Sequence, residues 1–579
     1  MRRAIPLLAL AMIASACSSG GTDPETLPTG PPSTVSADST TTTIDPRPCA
    51  ATTVLAPQGT AGAPTIERLP AASPHAAAVA ASQTMFDCAV DVVVVDAADL
   101  DRVALAAVLA VNLQAPLLFG DAETANQLAY ELDRLAPQRL WLVGDAAEAS
   151  APEWTSVDRI GGTDQEVAAE IATMIEADED ILLPVDGGSD TVAIAIEAMI
   201  TGRSLTPPSA DGSVAPVSPV SGDDIVAGSG ESGMVWLIDI NEPAAALVAA
   251  VGAITSGGFM GLVDGTDLRR EVALSRDLAP FADGVRMIQI VGGTEDAAWQ
   301  AMVLLRGDQL PGGGFLLFPG RRLIALYGNP LTTSLGVLGE QDPAAGLARL
   351  EAMSAGYDAD GTQVIPSWEL IATVAAANAG NDGDYSNEMP LEVLTPWVDF
   401  AAANGMYVLL DLQPGRATFL SQAMRYEELL RQPHVGLALD PEWRLDPDET
   451  HGGYWGAVEP AEVNEVAEWL AELTRNNALP QKMLLLHQFW FDMLPNRELI
   501  EATPEISLVI QMDGHGVIAD KMGTWQSTIT GWDSDLTTDW STDQFEYGWK
   551  HFLDEDIPGP ISAAEVLQLV PIPVFISIQ

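Results

Sequence analysis

From residue 64 onward the chain alternates two kinds of apolar segment. Short unbroken runs such as Val92-Val93-Val94-Val95 and Leu140-Trp141-Leu142-Val143 end at Asp or Gly, and longer Ala-rich stretches with helical spacing separate them. An apolar run without polar alternation reads as a strand buried on both faces, and an intervening helix returns the chain for parallel pairing. In the first half this predicts strands over 66–69, 92–96, 116–120, 139–145, 157–160, 181–186, 235–239, 258–264 and 286–293. Helices are expected over 75–85, 105–111, 122–135 and 167–175. The phrase Ile66-Glu67-Arg68-Leu69 returns about 90 residues later as Val157-Asp158-Arg159-Ile160, each time ahead of a helix and a buried strand, which marks an internal repeat. Residues 204–232, with Pro207-Pro208 and several Gly and Ser, read as an exposed insertion loop.

The second half keeps the alternation but drops the repeat. Eight strands are expected over 323–327, 363–368, 407–412, 435–440, 483–488, 507–512, 547–553 and 574–579, the seventh being weak. Helices are expected over 343–355, 394–404, 417–431, 460–476, 497–502 and 563–569, and residues 519–540 read as irregular. Residues 321–579 are close in length to the ~250 of a (β/α)8 barrel, with a doubly wound sheet as competitor. Gly312-Gly313-Gly314 looks like a hinge between the halves.

Composition narrows the function. The 579 residues are 47% hydrophobic and only 18% charged, so the chain forms cores and its acidity lies on folded surface. The net charge is −55, with Lys482, Lys521 and Lys550 as the only lysines. Nucleic acid, which needs a basic footprint, is excluded as a partner.

The N-terminus carries an export signal: Arg2 and Arg3, an apolar stretch over 4–13, and the small residues Ala14-Ser15-Ala16 before Cys17. Ending in a cysteine followed by Ser18, Ser19 and Gly20, it resembles a bacterial lipobox, which implies lipidation of Cys17 and anchoring to the outer face of the cytoplasmic membrane. No later run reaches the ~18 apolar residues of a membrane helix, leaving the lipid as sole anchor. Residues 18–60, rich in Thr, Ser, Pro and Gly, read as a flexible tether. Cys49 and Cys88 are an even pair in an exported chain, so a disulfide is expected; closing a loop of about 40 residues contributes about 4 kcal/mol in the chain-entropy model.

The phrases Val157-Asp158-Arg159-Ile160-Gly161-Gly162, Ala115-Pro116-Leu117-Leu118-Phe119-Gly120-Asp121 and Arg139-Leu140-Trp141-Leu142-Val143-Gly144-Asp145 resemble cell-wall-binding repeat 2 modules of bacterial surfaces. The resemblance covers about 64–300 and implies flavodoxin-like parallel-sheet repeats, placed over 61–312, that bind a cell-envelope polymer. The expected fold class is therefore α/β, with flavodoxin-like repeats followed by a C-terminal (β/α)8 barrel.

In a barrel, chemistry collects at the C-terminal ends of the strands. Strand three ends in Asp411, four in Asp440-Pro441-Glu442, five in His487-Gln488, six in Gln511 with Asp513 beyond, and eight in Gln579. Period two sends Val435, Leu437 and Leu439 outward, and Gly436, Ala438, Asp440 and Glu442 toward the axis. Two carboxylates on one face suit a glycosidase, which needs a protonated acid and a neighbour that stabilises the oxocarbenium ion. The Asp-Pro-Glu strand end is similar to the Asp-x-Glu of chitinase-like and lysozyme-like barrel glycoside hydrolases. That likeness makes Glu442 the general acid and Asp440 its partner, with Asp411 and Asp513 shaping the cleft. Tyr327, Trp368, Trp443 and Trp455 are expected near the rim to stack on sugar rings, with His487, Gln511 and Gln579 also contacting substrate.

Other chemistries fit less well. No His-Glu-x-x-His, Gly-x-Ser-x-Gly or phosphate loop occurs, so no metal and no cofactor is expected. Two readings stand: a lipid-anchored surface protein that hydrolyses an envelope or extracellular polysaccharide, and a non-catalytic surface protein that binds glycan or protein, whose Asp-Pro-Glu merely caps a turn.

Overall fold

The computed structural model describes residues 48–579, apart from 71–72, 122–123, 145–150, 185–187, 209–231, 266, 453–454 and 531–543. Cys17 and its proposed lipid lie outside the described residues. Cys49 and Cys88 form a disulfide with Cα atoms 5.8 Å apart. It ties the start of the described chain to the strand Phe86–Cys88, which also pairs with Thr53–Val54.

The first half holds parallel sheets. One has the order 117–119, 91–95, 139–143, 156–160, and a second the order 259–263, 234–239, 287–291, 63–69. The recurring Arg phrase thus closes a sheet rather than opening one. Ser156–Ile160 completes the sheet of the preceding strands, and Ala63–Leu69 crosses to Met287–Val291, more than 200 residues away, to complete the second sheet. In sequence between these two sheets Asp180–Leu182 pairs in parallel with Ser204–Thr206. The latter lies where a loop was expected; the rest of that expected loop, 209–231, is outside the described residues. The helices Leu100–Leu113, Ser189–Thr201 and Pro243–Ser256, which follow the strands 91–95, 180–182 and 234–239, pack on one another. Residues 244–253 of the third are buried on every side, the pattern of a helix enclosed by others.

The second half is a closed barrel of eight parallel strands: β1 (Arg321–Gly328), β2 (Gln363–Ala375), β3 (Tyr407–Leu412), β4 (Val435–Leu439), β5 (Lys482–Gln488), β6 (Ile506–Met512), β7 (Phe545–His551) and β8 (Phe575–Ile578). β1 pairs with both β2 and β8, which closes the ring. The alternation of each strand separates two apolar layers. Ile324, Leu410, Leu437 and Leu486 face the helices, while Leu323, Leu409, Ala438, Leu485, Val509 and Phe575 fill the barrel. Gly436 is required inside: a Cβ there would lie 2.7 Å from the Tyr407 hydroxyl and from the Met483 carbonyl.

Three connections differ from expectation. Residues 519–530 of the stretch read as irregular belong to the helix Ile518–Thr530, stabilised by tertiary contacts that its Gly, Ser and Thr content conceals, buried Trp525 and a buried Lys521–Asp556 ion pair; the rest of that stretch, 531–540, lies outside the described residues. The helix expected over 497–502 is a single 3-10 turn, Arg497–Leu499, entered through Pro495 and Asn496 at φ 51°. The helix expected over 417–431 is broken at Met424–Tyr426, where the Tyr426 hydroxyl donates to the carbonyls of Ala372 and Met389. β7, read as weak, is a full seven-residue strand.

The halves are bolted together at the start of β5 and β6. Trp299 is flanked by the guanidiniums of Arg269 and Arg475, 4.7 and 4.8 Å from its ring. Arg269 donates to the Pro504 carbonyl at 2.6 Å, and Arg475 pairs with Asp296 at 2.7 Å. Arg321 bridges the carbonyls of Pro311 and Gly313, so the glycine triplet is clamped by the barrel. The opposite end of the barrel, where the strands finish, is left open.

Candidate active site

Seven strands place a polar side chain on the barrel's inner face near its C-terminal end: Tyr327, Glu369, Asp411, His487, Gln511, Lys550 and Ser577; on β4 the position falls to Asp440, just past the strand. All are buried. At their centre His487 has Nδ1 2.6 Å from Asp513 and Nε2 3.0 Å from Glu369. Asp411 Oδ1 lies 3.8 Å from the same Nε2, and Tyr327 donates its hydroxyl to Asp411 Oδ2 at 3.1 Å. Lys550 Nζ sits 2.9 Å from Asp513 and 3.6 Å from the centre of the Tyr327 ring. Ser577 donates to Glu369.

Burial and charge set the protonation states. Burial opposes a charge on His487, but Asp513 and then Asp411 outweigh it and hold the imidazole well above its usual pKa. Burial would likewise raise Asp513, but Lys550 and His487 outweigh it and lower its carboxyl to about 2. The remaining acids lack such full compensation. Burial pushes Asp411 up to about 6 against the pull of His487. Burial, then the charge of Glu442, drives Asp440 well above the carboxylate range. Burial, then Asp513, raises Glu442 to about 7. Asp440, which holds its proton, adds little repulsion to Glu442.

Above this network lies a cavity of about 540 Å³. Its lining includes Asp440, Glu442, Asp513, Tyr327, Gln413, Trp443 and Gln579. β4 ends at Leu439, and Pro441–Trp443 is a 3-10 turn. Strand alternation therefore sets Asp440 inward, whereas Glu442 reaches the cavity through the turn. The structure does not bring Trp368 to this site: it is fully buried on the outer face of β2, edge-on to Trp397 at 5.5 Å. The error is one of parity, for the neighbouring Glu369 points inward. Tyr327 turns its hydroxyl to Asp411 and its face to Lys550. Asp411, His487 and Gln511 are fully buried, and both side-chain amide atoms of Gln511 lack a hydrogen-bond partner.

Sequence reasoning missed Glu369, Lys550 and Ser577. Glu369 is the only charged residue of β2, and Lys550 is one of three lysines in the chain; an ionisable group within an apolar strand was the available signal. It also missed Phe489 and Trp490, which line the cavity beside Trp443 and Trp455. Asp411, Asp440 and His487 carry ligand-type atoms within 4.8 Å of one another. Both ring nitrogens of His487 meet carboxylates, and the resulting imidazolium has no lone pair to offer a cation.

The arrangement is able to present a protonated carboxyl to a bound molecule, with an ionisable carboxylate held nearby in fixed orientation. No model of a known protein family matches the chain, and no curated protein matches it. Among solved structures it is similar to Cwp8 from Clostridium difficile, with 16% identity and a TM-score of 0.34 over 42% of this chain and 52% of that one. It is also similar to Cwp6 from the same organism, with 15% identity and a TM-score of 0.32 over 57% of this chain and 67% of that one. The matched part thus spans about half the length of Cwp8.

Proposed function

We propose that this protein is an exported, lipid-anchored surface protein whose barrel is a (β/α)8 glycoside hydrolase acting on an envelope or extracellular glycan. The observation that carries the reading is Glu442, a carboxyl on the cavity wall raised to about 7 by burial and Asp513. Such a group keeps its proton in about half of the molecules at neutral pH and can deliver it to a leaving glycosidic oxygen. Asp411, fully buried beneath the cavity and held in place by Tyr327, stabilises developing positive charge on the sugar through its field rather than by contact; Asp440, on the cavity wall, orients the substrate through its retained proton. The flavodoxin-like first half serves to hold envelope polymer, and the disulfide Cys49–Cys88 fits an oxidising, exported location.

The test uses the full chain on a panel of envelope and extracellular polysaccharides. Glu442→Gln removes the proton but keeps the shape, so turnover is expected to fall ~10²- to 10⁴-fold with glycan binding retained. Turnover at the wild-type rate in this variant would refute the assignment and leave a glycan-binding barrel whose buried charges are structural.

A further inference from the structure

The mouth of the cavity differs from its floor. Trp455 is 62% exposed and Trp490 58% exposed, the two most open tryptophans among the described residues, and both line the same cavity. They come from the loops after β4 and β5. The Trp455 ring stands edge-on to Phe489 with centroids 5.2 Å apart, and the backbone at Trp490 is fixed by its carbonyl, which accepts a bond from buried Gln488 at 3.3 Å. Gln488 is fixed in turn by Arg497 at 2.8 Å. Leaving two large aromatic faces in water at one opening is costly unless something apolar and flat covers them, and the CH-rich face of a sugar ring does so.

The charges select among sugars. Asp440, Glu442, Asp513 and Glu555 line the cavity, and no arginine does so among the described residues. The one lysine there, Lys550, is buried against Asp513 and over the Tyr327 ring. His515 stands at the exposed lip against Phe552. A carboxylate, sulfate or phosphate on the ligand would find no arginine and no unpaired lysine among the described lining residues to meet it, within a chain of net charge −55.

We propose that this cavity takes an uncharged, chain-like glycan, whose sugar units stack on Trp455 and Trp490 outside the cleavage point, and that it rejects anionic polysaccharides. The proposal rests on the glycosidase reading for the position of cleavage, but its test is one of binding. The full-length Glu442→Gln variant is titrated, by tryptophan fluorescence and calorimetry, with neutral hexasaccharides of glucose, mannose, xylose and N-acetylglucosamine. The matching disaccharides and hexagalacturonate are the comparators. At least one neutral hexasaccharide should bind about tenfold or more tightly than both its own disaccharide and hexagalacturonate. Adding Trp490→Ala or Trp455→Ala should weaken the hexasaccharide about tenfold and leave the disaccharide unchanged. Equal binding of hexagalacturonate, no binding by any neutral hexasaccharide, or hexasaccharide affinity indifferent to both tryptophans would overturn the proposal. A neutral chain that binds in this pattern yet is not cleaved by the wild type would refute hydrolysis alone.

Discussion

Glu442→Gln should make the protein more stable while it makes the site inactive, and the effect has a sign and a pH window. In the folded chain Glu442 holds its proton up to about 7, against an ordinary value of 4.5. Between those values the folded state binds more protons than the unfolded state, so this group's contribution to stability falls as pH rises through the window. At 1.36 kcal/mol per unit, the loss is of the order of 3 kcal/mol once pH exceeds about 8. Glutamine has nothing to ionise and avoids the loss. Surface substitutions of the same kind stay within about ±0.5 kcal/mol, so the two cases separate cleanly. Urea unfolding of the full chain at pH 8.5 and pH 5 is the assay, the lower value chosen to stay above the pI of about 4.1. With a slope of about 3 kcal/mol per molar, the midpoint of the variant should rise by about 1 M at pH 8.5 and by only about 0.3 M at pH 5. An unchanged midpoint at pH 8.5 would show that Glu442 ionises freely and cannot serve as the acid; an equal gain at both values would point to packing, not charge.

Asp513→Asn should destabilise the barrel by about 3 to 5 kcal/mol at neutral pH, because it strands His487 and Lys550 as buried cations, and urea unfolding reads it directly. In the wild type that stabilisation is present above pH 3.8 and is lost as pH falls through about 2. All three lysines are buried, so an amine-reactive ester should leave the lysines of the folded chain unmodified and label all three after denaturation, as counted by mass spectrometry. Turnover against pH should follow a bell whose limbs lie near 6 and 7, the values of Asp411 and Glu442, and a profile flat across that range would contradict their roles. Labelled palmitate should enter the wild type when it is made in a lipoprotein-processing bacterium, and Cys17→Ser should abolish both label and membrane association.

Much of the architecture was legible in the sequence because it depends on local period. Continuous apolar runs between helical stretches placed most of the barrel strands, whereas the seventh, interrupted by Glu546, Gly548 and Lys550, gave only a weak signal. The disulfide was legible from Cys49 and Cys88, the two cysteines that follow the expected export signal. Alternation along 435–439 also set Asp440 inward, because period two is a property of the strand alone. What the sequence could not carry was pairing across distance. That Ala63–Leu69 joins Met287–Val291 depends on the packing of three helices, and no local pattern encodes it. The parity of Trp368 and Glu369 was equally undecided, because both neighbours are large and only the closure of the barrel tells inside from outside. The protonation states were furthest out of reach. Glu442 and Asp513 are both plain carboxylates in the chain; the fold places one on the cavity wall without a cation bound to it and the other between an imidazolium and an ammonium, and that difference in surroundings moves them to about 7 and about 2.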